Sequence, residues 1–164
     1  MDILVKNNYF YADGKTYQCA IGANGISSNK KEGDLKTPAG TYYFTKIFYR
    51  EDRVGKLNLL IDTEKIRETD GWCDDVNSAS YNQHIRFPFK ESAEKLFRDD
   101  DLYDIICVIN YNSSPIIKSS GSAIFLHVAK EDYSSTEGCI ALKKEDLMEV
   151  INKITYETRI TIRD

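Results

Sequence analysis

Two residues in the C-terminal half of the chain have side chains suited to nucleophilic catalysis. His127 stands near the end of the apolar run 123–128, and Cys139 follows it across a short polar loop. A thiol attacks a carbonyl only as the thiolate, and a neighbouring imidazole is the usual group that removes its proton. Gly138 lets a substrate approach the backbone closely, and the local amide groups can stabilise an oxyanion. The pattern indicates a cysteine nucleophile with a histidine base.

The same pair also admits a structural interpretation. Free cysteine is among the most often buried residue types, and a cysteine and a histidine that stand alone in a sequence are common. Residue types and spacing therefore leave both interpretations open, a catalytic pair or a buried thiol beside a hydrogen-bonded core histidine.

The composition is that of an ordinary globular protein of 164 residues, with 41% hydrophobic and 29% charged residues. A chain of this length can bury a sizeable core, and we expect one domain over residues 1–164. The net charge of −4 gives no support for nucleic-acid binding. No apolar run approaches the roughly 20 residues that span a bilayer. The four cysteines are too widely spaced for a disulfide framework.

Most of the secondary structure that must position His127 and Cys139 is predicted to be strand. Apolar runs rich in β-branched and aromatic residues predict strands within residues 3–5, 9–11, 15–21, 41–49, 57–61, 103–110, 123–128 and 158–162. Helical patterns are limited to residues 92–98, with Ser92 as the N-cap, and to residues 143–153. Residues 22–34 are predicted to form a mobile surface loop. The sum favours a mainly β domain with one or two short helices.

Several motifs, taken in chain order, resemble the L,D-transpeptidase catalytic domain family of the YkuD type. His127 and Thr136-Glu-Gly-Cys139 are similar to the family's histidine and its Ser/Thr-His-Gly-Cys box. Thr37-Pro-Ala-Gly-Thr-Tyr42 matches a Thr-Pro-x-Gly-x-aromatic element. Segments that resemble a compact subgroup are Gly71-Trp-Cys-Asp-Asp75, Tyr81-Asn82, Arg86-Phe-Pro88, Leu102-Tyr-Asp104 and Gly121-Ser-Ala-Ile-Phe-Leu-His127. The match runs from about residue 22 to about residue 147 and implies a YkuD-like β-sandwich or mixed sheet.

The resemblance implies a role for each residue that falls on the catalytic motif. Cys139 matches the nucleophile, His127 matches the base, and the backbone around Gly138 matches the oxyanion site. Glu137 stands where the commoner pattern has His, and Ala141 stands where it often has Arg or Asn. Both departures recur in the compact subgroup, so they bear on the choice of donor rather than on loss of activity.

Six residues near these motifs are predicted to contact the substrate: Trp72, Tyr81, Asn82, Arg86, Thr136 and Glu137. The alternative for the two aromatic residues and the asparagine is a core or turn position. Arg86 can bind a stem carboxylate in bidentate fashion, or it can pair with Asp74 or Asp75. Glu137 can bind an amine acceptor, or it can face water.

The resemblance implies an enzyme that cross-links peptidoglycan stem peptides. Cys139 forms a thioester with an acyl donor, and the side-chain amine of diaminopimelate in a second stem attacks it. In most of the family the donor is a tetrapeptide and D-alanine leaves, which gives a 3-3 cross-link. The resemblance to the compact subgroup also allows the first-position L-alanine as donor, which gives a 1-3 cross-link, and the sequence leaves both donors open. Two alternatives stay open, a cysteine peptidase or carboxypeptidase that trims cell-wall peptides, and a catalytically inactive envelope-binding module.

Expectations on cofactors, compartment and assembly follow from the same resemblance. The chemistry needs no metal or nucleotide, and Cys73, His84 and residues 74–75 have no recognised ligand spacing. The family works outside the cytoplasmic membrane, so we expect the cell envelope or periplasm. No leader pattern is readable at the N-terminus, which leaves the cytoplasm or an already removed signal open. We expect a monomer whose partners are peptidoglycan stem peptides.

Overall fold

A computed structural model describes residues 1–164. The predicted mainly β class is confirmed. The strands are β1 (Asp2–Lys6), β2 (Tyr9–Ala12), β3 (Lys15–Ala20), β4 (Ile26–Ser27), β5 (Thr37–Pro38), β6 (Gly40–Tyr49), β7 (Thr63–Lys65), β8 (Asp70–Cys73), β9 (His84–Arg86), β10 (Ala93–Lys95), β11 (Ile105–Ile109), β12 (Phe125–Val128), β13 (Ile140–Leu142) and β14 (Arg159–Arg163). The helices are α1 (Glu51–Val54) and α2 (Lys144–Ile151).

Two strands that change partners close the main sheet into a ring. β3 pairs with β2 through residues 15–18 and with β13 through residues 19–20. β6 pairs with β14 through residues 40–43 and with β11 through residues 44–49. The order around the ring is β11, β12, β13, β3, β2, β1, β14 and β6, and β7 pairs with β6 alone. Parallel and antiparallel pairs are mixed, as the predicted mixed sheet requires.

The inside of the ring holds the main core, a cluster of 24 buried apolar residues. Side chains alternate between the two faces of a strand. On β11, Ile105, Cys107 and Ile109 therefore belong to this core, whereas Ile106 and Val108 project from the outer face of the sheet. The continuous apolar run of β11 requires cover on both faces.

A second layer covers the outer face of β11 and β12. The three-stranded sheet β10-β8-β9 contributes to it. The residues buried between the layers are Phe48, Ile66, Trp72, Leu96, Tyr103, Ile106, Val108, Phe125 and Cys139. The thiol of Cys139 therefore lies outside the ring, at the contact between the outer face and the second layer.

Helices play a small part in the fold. α2 lies within the predicted helical segment 143–153, and its buried residues Leu147, Val150 and Ile151 follow the spacing of one helix face. No helix in the structure has the length and apolar character of a membrane-spanning segment.

Two predictions of local structure were wrong. Residues 92–98 form no helix: strand β10 pairs there with β8, and the Ser92 hydroxyl donates a hydrogen bond to Asp74 Oδ1 at 2.6 Å instead of capping a helix. Residues 57–61 form no strand, and β7 lies just beyond them. Pairing with β8 is a tertiary interaction, and it overrides the local helical pattern.

The segment predicted to be a mobile loop, residues 22–34, is bonded to its surroundings. β4 lies within it and pairs with β5. The Asp34 carboxylate accepts hydrogen bonds from the amides of Lys31 at 2.7 Å and Lys36 at 2.9 Å. It also pairs with the Lys30 ammonium at 2.7 Å, and the Lys30 side chain is only 5% exposed. These bonds tie the loop to its surroundings.

Replacing Asp34 by Ala is expected to release this loop. The substitution removes the acceptor of three hydrogen bonds and leaves the Lys30 ammonium nearly buried without its ionic partner. Limited trypsin digestion should therefore cut at the lysines of the loop several times faster than in the wild type. Asn29→Ala, in the same loop, removes a side chain that makes no hydrogen bond and should leave the rate unchanged. Equal rates for the two variants would contradict the bonded loop.

Candidate active site

The parallel pairing of β12 with β13 places His127 and Cys139 on the same face of the sheet. His127 lies opposite Ala141 in the register of the two strands. Cys139 precedes Ala141 by two residues, so both project to the same side, as do Phe125 and His127 on the neighbouring strand. Phe125 and Cys139 belong to the buried cluster on the outer face, which is consistent with this orientation.

A cleft of about 570 Å³ opens over this face, and both His127 and Cys139 line it. Its walls come from the loop around residues 30–35, from residues 94–103 and from residues 122–138. The charged residues that line it are Lys30, Glu32, Asp74, Glu94, Arg98, Lys130 and Glu137. Charges of both signs suit a ligand that carries carboxylates as well as amines.

The imidazole of His127 is held in one tautomer. Nδ1 lies 2.8 Å from the carbonyl oxygen of Val128. A carbonyl can only accept, so Nδ1 carries the proton and Nε2 keeps a free lone pair. Burial lowers the pKa of His127 to about 4. The ring is therefore neutral at pH 7, which is the state that a general base requires.

The thiol of Cys139 is held by backbone groups of the segment that leads into β12. Sγ donates to the carbonyl of Ala123 at 3.1 Å and accepts from the amide of Phe125 at 3.4 Å. Burial raises the pKa of Cys139 to about 12, and the charge of Glu94 acts in the same direction. The thiol is therefore neutral in the resting protein, and it needs a base that removes its proton during attack.

The backbone before Cys139 is shaped by one hydroxyl group. Thr136 Oγ1 accepts from the amide of Gly138 at 3.1 Å and donates to the carbonyl of Cys139 at 2.6 Å. Gly138 has φ +144°, and a Cβ there would lie 2.8 Å from the carbonyl oxygen of Lys36. Only glycine fits this position. The Gly138 amide is engaged, whereas the amide of Cys139 makes no hydrogen bond within the protein and is free to donate to a ligand.

Comparison with known proteins decides which family this site belongs to. The family model of the L,D-transpeptidase catalytic domain, YkuD, matches residues 3–162. The chain belongs to this family. No curated protein matches the chain.

Two solved structures are similar to the chain. The crystal structure of Mycobacterium tuberculosis L,D-transpeptidase 1 is 10% identical with a TM-score of 0.45, and the alignment covers 99% of this chain and 58% of that one. The helical cell shape determining protein Pgp2 from Campylobacter jejuni is 20% identical with a TM-score of 0.40, and the alignment covers 99% of this chain and 46% of that one. The chain thus spans about half the length of these two proteins.

Two of the predicted substrate contacts of this L,D-transpeptidase family member lie in the protein interior. Trp72 is 9% exposed, and its ring packs edge-on against Phe125 with a centroid distance of 5.0 Å. The indole Nε1 donates to Asn82 Oδ1 at 3.0 Å, and the same oxygen accepts from the amide of Ala123 at 3.0 Å. The Asn82 Nδ2 group donates to the carbonyls at positions 111 and 112. Asn82 therefore holds Ala123, whose carbonyl holds the thiol, and neither Trp72 nor Asn82 lines the cleft.

Tyr81 also lies outside the cleft walls and is 1% exposed. Its hydroxyl donates to the Glu32 carboxylate and accepts from the amide of Gly121 at 3.0 Å. Glu32 accepts a second hydrogen bond from the Ser122 hydroxyl at 3.1 Å. Tyr81 thus fixes the loop of residues 30–35 at the edge of the cleft rather than contacting a ligand.

The remaining predicted contacts divide between the cleft and the outside. Arg86 lies outside the cleft, and its guanidinium is 3.7 Å from the carboxylates of Asp70 and Glu64. The alternative prediction, an ion pair with Asp74 or Asp75, is therefore wrong as well. Thr136 and Glu137 line the cleft. The Thr136 hydroxyl is hydrogen-bonded to the backbone of Gly138 and Cys139. The Glu137 side chain is exposed at the cleft.

Among the cleft residues that the sequence analysis did not predict are Glu94, Arg98 and Tyr103. The first two belong to the segment predicted to be a helix, so no pattern placed them near Cys139. Tyr103 precedes the buried run of β11, and its ring packs edge-on against the His127 imidazole at 5.3 Å. The segment Leu102-Tyr-Asp104 that resembles the family was the available signal for Tyr103.

The residues weighed as metal ligands have other partners. His84 Nε2 pairs with Asp70 Oδ1 at 2.9 Å, and Cys73 is fully buried in β8. The structure contains no group of three or more His, Cys, Asp or Glu residues placed to hold a metal ion.

Replacing Asn82 by Ala is expected to destabilise the fold. The indole N–H of Trp72 and the backbone amide of Ala123 would lose their common acceptor in buried surroundings, and each unsatisfied group costs roughly 1–3 kcal/mol. Chemical denaturation should show a loss of at least about 2 kcal/mol in the free energy of unfolding. Asn77→Ala, an exposed position in the same loop, should change it by less than about 0.5 kcal/mol. Similar small losses in both variants would contradict the structural role of Asn82.

The lowered pKa of His127 predicts that the free energy of unfolding depends on pH. The folded protein lowers this pKa from about 6.5 to about 4, so the unfolded chain binds more protons between these values. Stability from the neutral ring is fully present above pH 6.5 and is lost as the pH falls towards 4, by about 3 kcal/mol. Denaturation of the wild type and His127→Gln at pH 4, 5, 6 and 7 should show this loss in the difference between them. A difference that does not depend on pH would refute the lowered pKa.

Proposed function

We propose that this chain is a peptidoglycan L,D-transpeptidase in which Cys139 is the nucleophile and His127 is the base. The observation that carries the proposal is the arrangement of the pair. Two side chains on one face of neighbouring parallel strands line one cleft, and the imidazole has the tautomer that leaves Nε2 free. Family membership supports the same chemistry.

In the first half-reaction, His127 Nε2 takes the thiol proton as Sγ attacks a carbonyl of the donor stem. Both groups start neutral, so the proton moves as the carbon–sulfur bond forms. The free amide of Cys139 donates to the oxyanion, and the Thr136 hydroxyl keeps this stretch of backbone in place. The imidazolium then gives its proton to the leaving amine, and a thioester on Cys139 remains.

In the second half-reaction, the side-chain amine of diaminopimelate from another stem attacks the thioester. A third-position donor gives a 3-3 cross-link, and a first-position L-alanine donor gives a 1-3 cross-link. The charged cleft accommodates such substrates. Arg98 is bonded to Asp100 through Nε and Nη2, which leaves Nη1 for a stem carboxylate. The exposed Glu137 adds negative charge on the side of the cleft next to the thiol. Attack by water instead would give carboxypeptidase activity.

We further propose that residues 1–164 act as one catalytic domain and as a monomer in the cell envelope. The second layer packs directly on the outer face of the ring, which supports a single unit. The proposed substrate is found in the envelope, and this supports the compartment.

The experiment that tests this function is mass spectrometry of purified muropeptides after incubation with the protein. Wild-type protein should produce cross-linked dimers, and fragmentation identifies the donor residue. Cys139→Ser should produce none, because a hydroxyl is a much weaker nucleophile than a thiol beside the same base. Cys107→Ala removes a different buried thiol, in the main core, and should keep the activity.

Two results would contradict the proposal. Trimmed monomers without dimers would assign the protein as a hydrolase. No change in the muropeptides, with the folded protein confirmed by circular dichroism, would favour a binding module.

A further inference from the structure

One acidic side chain of the cleft carries out no step of the proposed thioester formation. Glu94 lies on β10, opposite Trp72 in the register with β8, and it lines the cleft together with Cys139. The Tyr103 hydroxyl lies 3.1 Å and 3.3 Å from its two carboxylate oxygens and donates to them. Tyr103 is only 8% exposed, so the carboxyl group is anchored by a rigid, buried phenol.

The same tyrosine connects Glu94 with the base. The Tyr103 ring packs edge-on against the His127 imidazole at 5.3 Å and against the Phe125 ring at 5.9 Å. The hydroxyl end of the ring binds Glu94. One side chain, Tyr103, therefore contacts both His127 and Glu94.

The charged groups that face Glu94 come from several elements. Asp74 follows β8, Arg98 follows β10, and Glu137 precedes the thiol. Burial raises the pKa of Glu94 to about 7, with Asp74 and Glu137 acting in the same direction and Tyr103 and Arg98 in the opposite one. The carboxyl group therefore exchanges its proton near neutral pH, whereas His127 does so near pH 4.

We propose that Glu94 binds the ammonium group of the acceptor stem and removes its proton before it attacks the Cys139 thioester. This inference rests on the proposed function and names the residue that serves its second half-reaction. A side-chain amine of this kind has a pKa of about 10.4, so at neutral pH it arrives as an ammonium that cannot attack a carbonyl. A carboxylate anchored in the same cleft attracts the cation and accepts its proton.

The proton balance of the step is complete. The Glu94 carboxylate takes one proton from the ammonium, and the neutral amine attacks the thioester carbonyl to form the carbon–nitrogen bond. The carbon–sulfur bond breaks as His127 moves the second amine proton to the departing sulfur. The products are an amide, a Cys139 thiol and a protonated Glu94, which returns its proton to solvent.

The test follows thioester, dimer and hydrolysed monomer by mass spectrometry with Glu94→Gln between pH 6 and 10. The amide keeps the Tyr103 hydrogen bond and removes the proton acceptor. Thioester formation should stay within about threefold of the wild type, whereas the ratio of dimer to hydrolysed product at pH 7 should fall by about tenfold or more. This deficit should shrink towards pH 10, where the acceptor amine loses its proton unaided.

Two further variants separate this role from a structural one. Glu131→Gln makes the same change at an exposed position outside the cleft and should leave the ratio unchanged. Tyr103→Phe keeps the ring and removes the anchoring hydroxyl, so the ratio should fall in the same direction by a smaller factor. Both cleft variants are compared with the wild type by thermal unfolding.

Three results would overturn the inference. A wild-type ratio in Glu94→Gln would show that the carboxylate is not needed. An equal loss of thioester and dimer, or a deficit that does not change with pH, would show that Glu94 supports the cleft only. Absence of any thioester in the wild-type protein would instead overturn the proposed function, and the Glu94 role with it.

Discussion

The parallel register between β12 and β13 is the constraint on which the site depends. It places His127 opposite Ala141, so the thiol of Cys139 and the imidazole leave the sheet on the same side. A slip of one residue would turn every side chain of the strand to the other face and exchange His127 with the core residue Leu126. The apolar residues of these strands on the inner face fix the register, because they fill the ring. The core therefore determines the geometry of the reactive pair.

Burial determines the protonation states of His127 and Cys139. The imidazole and the thiol are both nearly inaccessible to water, and desolvation disfavours the charged form of each. The result is a neutral pair that separates charge only while a substrate carbonyl is attacked. The backbone around the thiol is correspondingly constrained: Ala123 has φ +54° and Gly138 has φ +144°. Such conformations persist only where the surroundings enforce them, and here Asn82 and Thr136 supply the hydrogen bonds that do so.

The sequence predicted what depends on local pattern and missed what depends on tertiary pairing. The long apolar runs of β6, β11 and β12 identified these strands, and the helical pattern of residues 143–153 identified helix α2. His127 and Cys139 were singled out by residue type and motif, and the structure brings them into one cleft. Glu94 was missed because its strand exists only through pairing with β8. Residue type alone could not distinguish a substrate contact from a buried hydrogen-bonded partner, and this is why Trp72 and Asn82 were assigned to the substrate.

The central claim is that His127 is a neutral base with its proton on Nδ1, and nuclear magnetic resonance of the imidazole nitrogens tests it most directly. The chain has two histidines, so comparison with His127→Gln assigns the signals. At pH 7 the account predicts a protonated Nδ1 and an unprotonated Nε2, with conversion to the cation centred near pH 4. An imidazolium at pH 7, or a proton on Nε2, would contradict the account, because the resting pair would then be charged or the base would face the wrong way.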